Sequence, residues 1–274
     1  MVQNCGYWLY LVHKLNQLGI KNIILFLTRI IIKMEIYIIL IISGLLVGFI
    51  NTLAGGATII SLSVFNWLGL PFTIANGTNR LAIILQTLSS NAVFFRNKII
   101  PYKSIWPQAI IIAVGSLIGA LFAVNVNEQF FRYALMVVLV VMIISMFVNP
   151  TSWKKGKENN ENFKRKDGLT YLVFFIIGLY GGFIHVGVGY YILFACIYLM
   201  GYDLRKANAV KNFLVMFYVS ISFVIYVFNG MVNWKYGLVH GIGNIIGAQI
   251  AARLSITKSL NFVKILIVII MMVI

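Results

Sequence analysis

SGLLVGFINTLAGGATIISLSVFNWLGLPFTIANGTNR, residues 43–80, holds two apolar runs, a glycine-rich break at Gly55 and Gly56, and a polar block at its end: Asn76, Thr78, Asn79 and Arg80. As helices, the two runs at 36–50 and 57–70 reach only about 20 to 23 Å at about 1.5 Å per residue. A bilayer's hydrocarbon core is about 30 Å thick. Three longer runs, at 78–95, 104–124 and 130–148, follow and are long enough to span.

The second half repeats this plan. GLLVGFIN at 44–51 aligns with GLYGGFIH at 178–185, ANGTNR at 75–80 with ANAVKN at 207–212, and GSLIGA at 115–120 with GNIIGA at 243–248. Two short runs (169–184 and 190–200) again precede three long ones (204–228, 232–252 and 260–274). Recurrence of a whole unit in the same order marks an internal duplication.

Composition sets the solvent. The chain is 61% hydrophobic and 10% charged, with a mean hydropathy of +0.95, far from a soluble domain, where about a quarter of residues are charged. This is a polytopic membrane protein. Its net charge of +16 falls mostly in short connections between apolar runs, the orientation signal of membrane proteins rather than a nucleic-acid footprint. Cys5 and Cys196 stand alone, with no disulfide framework or metal-ligand spacing. The few acids, Glu35, Glu128, Glu158, Glu161, Asp167 and Asp203, lie near the ends of runs or in loops, so no acid–base or nucleophilic set converges at membrane depth. The reading is therefore not an enzyme, and no cofactor is expected.

A linker at 149–168, NPTSWKKGKENNENFKRKDG, divides the halves, and its density of Lys and Arg assigns it to the cytoplasm. An odd number of crossings per half inverts the second repeat relative to the first. Inversion places Arg96, Lys98, Lys103, Arg205, Lys206, Arg253 and Lys258 inside and leaves Glu128 and Lys235 outside, which the positive-inside rule favours. Residues 1–33 carry a basic amphipathic run, Lys14, Lys21, Arg29 and Lys33, which inversion would place outside. They read either as an interfacial helix or as residues ahead of a true start at Met34.

Short, glycine-interrupted helix pairs at matching positions of two repeats point to a transporter's binding site. A helix broken inside the membrane exposes backbone N–H groups at a positive dipole end, which binds anions. Gly55, Gly56, Gly187 and Gly189 would supply such breaks; the alternative is close helix packing through small residues. Asn51 and Thr52 offer amide and hydroxyl ligands, and His185 stands where the first copy has Asn51. Asn76, Thr78, Asn79, Asn208 and Asn212 sit at the expected starts of the third segments, where N-capping would occupy one Asn per copy. Arg80 and Lys211 are cations that either face a substrate or snorkel to the interface. His240, on a long run, reads as a packing residue.

GFINTLAGGATIISL with LGLPFTIANGTNRLAIILQTL, then GLYGGFIHVGVGYYIL with ANAVKNFLV, resembles the sulfite exporter TauE/SafE family of membrane permeases over about residues 36–274. The resemblance implies export of small sulfur-containing anions, such as sulfite or sulfonates, across the bacterial cytoplasmic membrane. It carries the family's polar motif onto Asn76, Gly77, Thr78, Asn79 and Arg80, and its second glycine motif onto Gly182, Gly187 and Gly189. The chain departs from the pattern at His185 and Val188.

The expectation is an all-α, multi-pass protein of the cytoplasmic membrane with two inverted repeats, each a short broken or re-entrant helix pair followed by three long membrane helices. Its parts are 1–33 (an extension or mis-assigned start), 34–148 (first repeat), 149–168 (linker) and 169–274 (second repeat). It would export a small anion by alternating access, with the lipid bilayer and the anion as partners, and self-association is compatible with this. Carriage of another solute or a metal ion, or an intramembrane enzyme or accessory subunit, are the alternatives.

Overall fold

The computed structural model describes residues 20–146 and 167–258, all of whose regular elements are helices. Their order is α1 (Ile20–Leu53), α2 (Thr58–Trp67), α3 (Phe72–Arg96), α4 (Tyr102–Asn125), α5 (Glu128–Met146), α6 (Asp167–Phe183), α7 (Val188–Tyr198), α8 (Leu204–Phe228) and α9 (Trp234–Thr257). Most of the linker, the run at 260–274 and the start of the basic extension lie outside the described residues. Among the described residues, three segments are by length and composition able to cross a membrane: Lys33–Leu53, Tyr102–Asn125 and Leu204–Phe228. Contacts divide the chain at Ile39, and the residues of the candidate site belong to the larger unit, Leu40–Ile274.

Two sequence expectations need correction. The run at 36–50 is not a short helix: α1 starts at Ile20 and ends at Leu53, because no Gly or Pro falls between Ile20 and Ser43. Among the described helices, α2 (10 residues), α6 (17) and α7 (11) are the short ones. Second, α3 begins at Phe72, not at 78, because Pro71 sets its entry. Asn76 to Arg80 therefore lie in the second and third turns, not at a cap. The N-terminus of α3 is capped instead from α5: Glu128 accepts from Phe72 N (2.6 Å), Thr73 N (3.1 Å) and Thr73 Oγ1 (2.8 Å). In the second copy Asp203 caps α8 by accepting from Lys206 N at 2.8 Å, so no Asn of the polar blocks serves as a cap.

The solvation pattern of a soluble protein is reversed. Leu46, Ile110, Val137 and Leu172 present apolar surface outward, whereas Asn76, Arg80, Asn208, His240 and Asn244 are wholly buried. Such a molecule suits a lipid exterior.

Glycine pairs hold the helices together across the two halves. On α4, a Cβ at Gly115 or Gly119 would come within 2.4 Å of Phe175 O or 2.0 Å of Leu179 O on α6. On α6, one at Gly178 or Gly182 would meet Ile112 O at 2.2 Å or Ser116 O at 2.1 Å. The same interlock joins α9 to α1: Gly243 and Gly247 face Ile41 O and Leu45 O, and Gly44 and Gly48 face His240 O and Asn244 O, all at 2.1 to 2.3 Å from a built Cβ. For these positions the packing alternative holds, since only a hydrogen fits between the backbones. The long helix of each half thus packs on the first helix of the other.

Candidate functional site

The two breaks meet. After α1 the chain turns through Gly55, whose φ of +89° lies in the left-handed region, and after α6 it turns through Gly187 at +72°. A Cβ on Gly55 would lie 2.5 Å from Gly189 Cα, so the breaks touch backbone to backbone. Neither Ala57 nor Gly187, the residues preceding α2 and α7, caps its helix with a side chain. Within the first break Asn51 is already engaged: its Oδ1 accepts from Ala57 N at 2.8 Å and its Nδ2 donates to Thr58 Oγ1 at 3.5 Å.

The polar blocks of α3 and α8 each clasp the helix end of the opposite half. Lys211 Nζ donates to Asn51 O (3.0 Å) and Thr52 O (2.8 Å), and Asn212 Nδ2 donates to Thr52 O (3.2 Å), all at the end of α1. On the other side Arg80 donates to Gly181 O (3.1 Å) and Gly182 O (2.6 Å), and Asn76 Nδ2 to Phe183 O (2.9 Å), at the end of α6. Helix C-termini leave carbonyls unpaired and carry negative partial charge, so cations placed there satisfy both. Arg80 also donates to Ser222 Oγ at 2.5 Å and lies 4.6 Å from the centroid of the Tyr226 ring. Arg80 and Lys211 are 0% and 1% exposed. Neither snorkels, and among the described residues no partner of either is a carboxylate.

Between these clasps lies a narrow cavity of about 10 Å³, room for about one water-sized guest, lined by Asn51, Gly55, Gln86, His185, Gly189, Lys211, Asn212 and Val215. Six of these were expected from sequence. Gln86 and Val215 were not; the available signal for Gln86 is its place in an apolar run, seven residues and thus two turns beyond Asn79 on the same helix face. Thr52, Gly56, Asn76, Thr78, Asn79, Arg80, Gly187 and Asn208 are not among the lining residues. Thr78 has another task, accepting from Asn233 N at 2.9 Å ahead of α9. Asn79 and Asn208 are buried with both amide atoms unpartnered. Arg80 holds the carbonyls of Gly181 and Gly182, a few residues before His185 in the chain.

His185 pairs through Nδ1 with Tyr218 OH at 2.6 Å, which leaves Nε2 for the cavity. His240 is more than a packing residue. It ties α9 to α1 and α2 through Leu40 O (2.9 Å), Ser43 Oγ (3.3 Å) and Ser61 Oγ (2.9 Å). A carbonyl only accepts, so Nδ1 carries the proton and Nε2 accepts from Ser61. A larger apolar groove, lined by residues such as Val137, Ile176, Tyr191 and Phe194, lies apart from these groups. Among the described residues no group of His, Cys, Asp or Glu could hold a metal ion.

A reversed polarity, paired glycine breaks and buried cations clasping helix ends define a membrane transporter. The chain belongs to the sulfite exporter TauE/SafE family, whose model matches residues 40–274. It is similar to a probable membrane transporter protein of Haemophilus influenzae, 30% identical over 245 residues, covering 87% of this chain and 92% of the relative. It also resembles the probable membrane transporter protein ORF9 of Sinorhizobium sp, 27% identical over 84% of this chain and 87% of that one. A third, the probable membrane transporter protein YunE of Bacillus subtilis, is 25% identical over 80% of this chain and 88% of its own length. No solved structure matches the chain significantly.

Proposed function

We propose that this transporter exports a small anion of the sulfite or sulfonate class across the cytoplasmic membrane, by alternating access around the cavity at the two breaks. The observation that carries the reading is the pair of buried cations, Arg80 and Lys211, hydrogen-bonded among the described residues to carbonyl and hydroxyl oxygens and to no carboxylate. A buried charge without a counter-charge is costly, and an anionic substrate supplies one. An ammonium has three donors, and Lys211 has engaged two, so the third is available to an anion in the cavity. The N-terminus of α7, whose Gly189 lines the cavity, adds backbone donors.

Inverted repeats suit this mechanism, because two structurally related halves exchange roles as the site opens to either face. A cytoplasm-negative potential drives a monoanion outward by about 2.3 kcal/mol per 100 mV, so export needs no coupled ion. Flux of labelled sulfite and of a sulfonate into proteoliposomes tests the reading. Lys211→Met is expected to reduce flux at least about a hundredfold, on the scale of a lost charge-assisted contact. Flux that survives both Lys211→Met and Arg80→Gln rejects the site.

A further inference from the structure

α3 and α8, which carry the aligned polar blocks, meet in one antiparallel register. Asn76 Nδ2 donates to Tyr226 OH at 2.7 Å, Arg80 to Ser222 Oγ at 2.5 Å, and Ser90 Oγ to Asn212 Oδ1 at 3.2 Å. Each step forward along α3 is thus matched by an equal step back along α8. Extending the alignment of ANGTNR with ANAVKN without a gap sets Ser90 level with Ser222 and Phe94 level with Tyr226. The Arg80–Ser222 pair then recurs, with the helices exchanged, as Asn212–Ser90. The Asn76–Tyr226 pair does not recur. Its counterpart in the register is Asn208 with Phe94, and a phenyl ring has no hydroxyl to offer. Asn208 is accordingly buried with both amide atoms unpartnered.

The two ends of the seam are therefore held unequally. At one end Tyr226 OH accepts from Asn76 and donates to Phe183 O at 3.3 Å, with Arg80 4.6 Å from its ring centroid. At the other, Arg96 and Lys98 lie at the end of α3 and Arg205 and Lys206 at the start of α8, the cationic end that faces the cytoplasm by the positive-inside rule. We propose that the transporter opens along the α3–α8 seam, with Tyr226 and Asn76 as the outer gate and Phe94 opposite Asn208 as a weaker cytoplasmic gate. This rests on the alternating-access reading above. Opening the outer end breaks a buried hydrogen bond that the cytoplasmic end lacks, so the populations of the two open states differ.

Ser222→Cys and Ser90→Cys, each one turn inward of a gate, serve as reporters, placed singly in a background lacking Cys5 and Cys196. A membrane-impermeant, sulfonate-bearing methanethiosulfonate is applied to right-side-out and inside-out vesicles, and the modification rate is read from each face. Tyr226→Phe is expected to raise the rate of the Ser222→Cys reporter from outside about tenfold, the scale of one buried hydrogen bond, with no rise from the cytoplasmic face. Phe94→Tyr supplies Asn208 with a hydroxyl and is expected to slow the Ser90→Cys reporter from the cytoplasmic face by about the same factor. An unchanged outside rate in Tyr226→Phe, or a rise from both faces, overturns the proposal. A Phe94→Tyr rate equal to or above that of Phe94 does the same. Either result leaves the anion reading intact, because that reading is judged by flux of sulfite and sulfonate.

Discussion

Arg80 and Lys211 do related work with different chemistry. Lys211 uses a point charge to join two carbonyls and retains a donor for the cavity, whereas Arg80 uses its fork for two carbonyls, a hydroxyl and the face of Tyr226. An ammonium cannot reproduce that planar set. Arg80→Lys is therefore expected to destabilise the protein by about 2 to 3 kcal/mol, leaving buried acceptors unpaired; thermal unfolding in detergent measures it, and an unchanged midpoint would remove the clasp. Both cations are legible in the sequence as intramembrane charges. Their partners are not, because Gly181 and Gly182 lie 101 and 102 positions from Arg80, and Asn51 and Thr52 lie 160 and 159 from Lys211. Gln86 is overlooked for a similar reason: a single amide in an apolar run has meaning only once His185 and Lys211 are folded beside it.

At the scale of elements, short helices and glycines alone do not distinguish a substrate site from tight packing, and both occur here. Gly55 and Gly187 make the breaks; Gly115, Gly119, Gly178 and Gly182 make the α4–α6 interlock. Gly119→Val is expected to cost about 3 kcal/mol or more by overpacking against the backbone of α6, and Gly247→Val the same against α1. Loss of monodisperse protein on gel filtration is the expected result, and normal elution of both variants would contradict the packing. The cap of α3 comes from Glu128, 56 positions from Phe72, where the sequence suggested a local Asn. Glu128→Gln weakens an acceptor placed at a positive dipole end, and is expected to lower stability by about 1 kcal/mol in the same unfolding assay.

For the molecule as a whole, each half clasps and packs on the other, so neither repeat completes its own broken helix. Inverted repeats predict that cysteines introduced at Lys98 and Arg205, in a background lacking Cys5 and Cys196, react from the cytoplasmic side, and one at Lys235 from outside. Labelling of positions 98 and 205 from opposite faces would establish parallel repeats instead. The sequence by itself determined the membrane class, the helical content and the position of the breaks, because hydropathy and glycine punctuation act locally along the chain. Only the tertiary structure separated the cavity residues Gln86, His185 and Lys211 from Asn76, Thr78 and Arg80, which brace helix ends or the approach to α9. A buried polar side chain bonds whatever the fold brings within reach, and α3 and α8 each reach the broken helix of the opposite repeat.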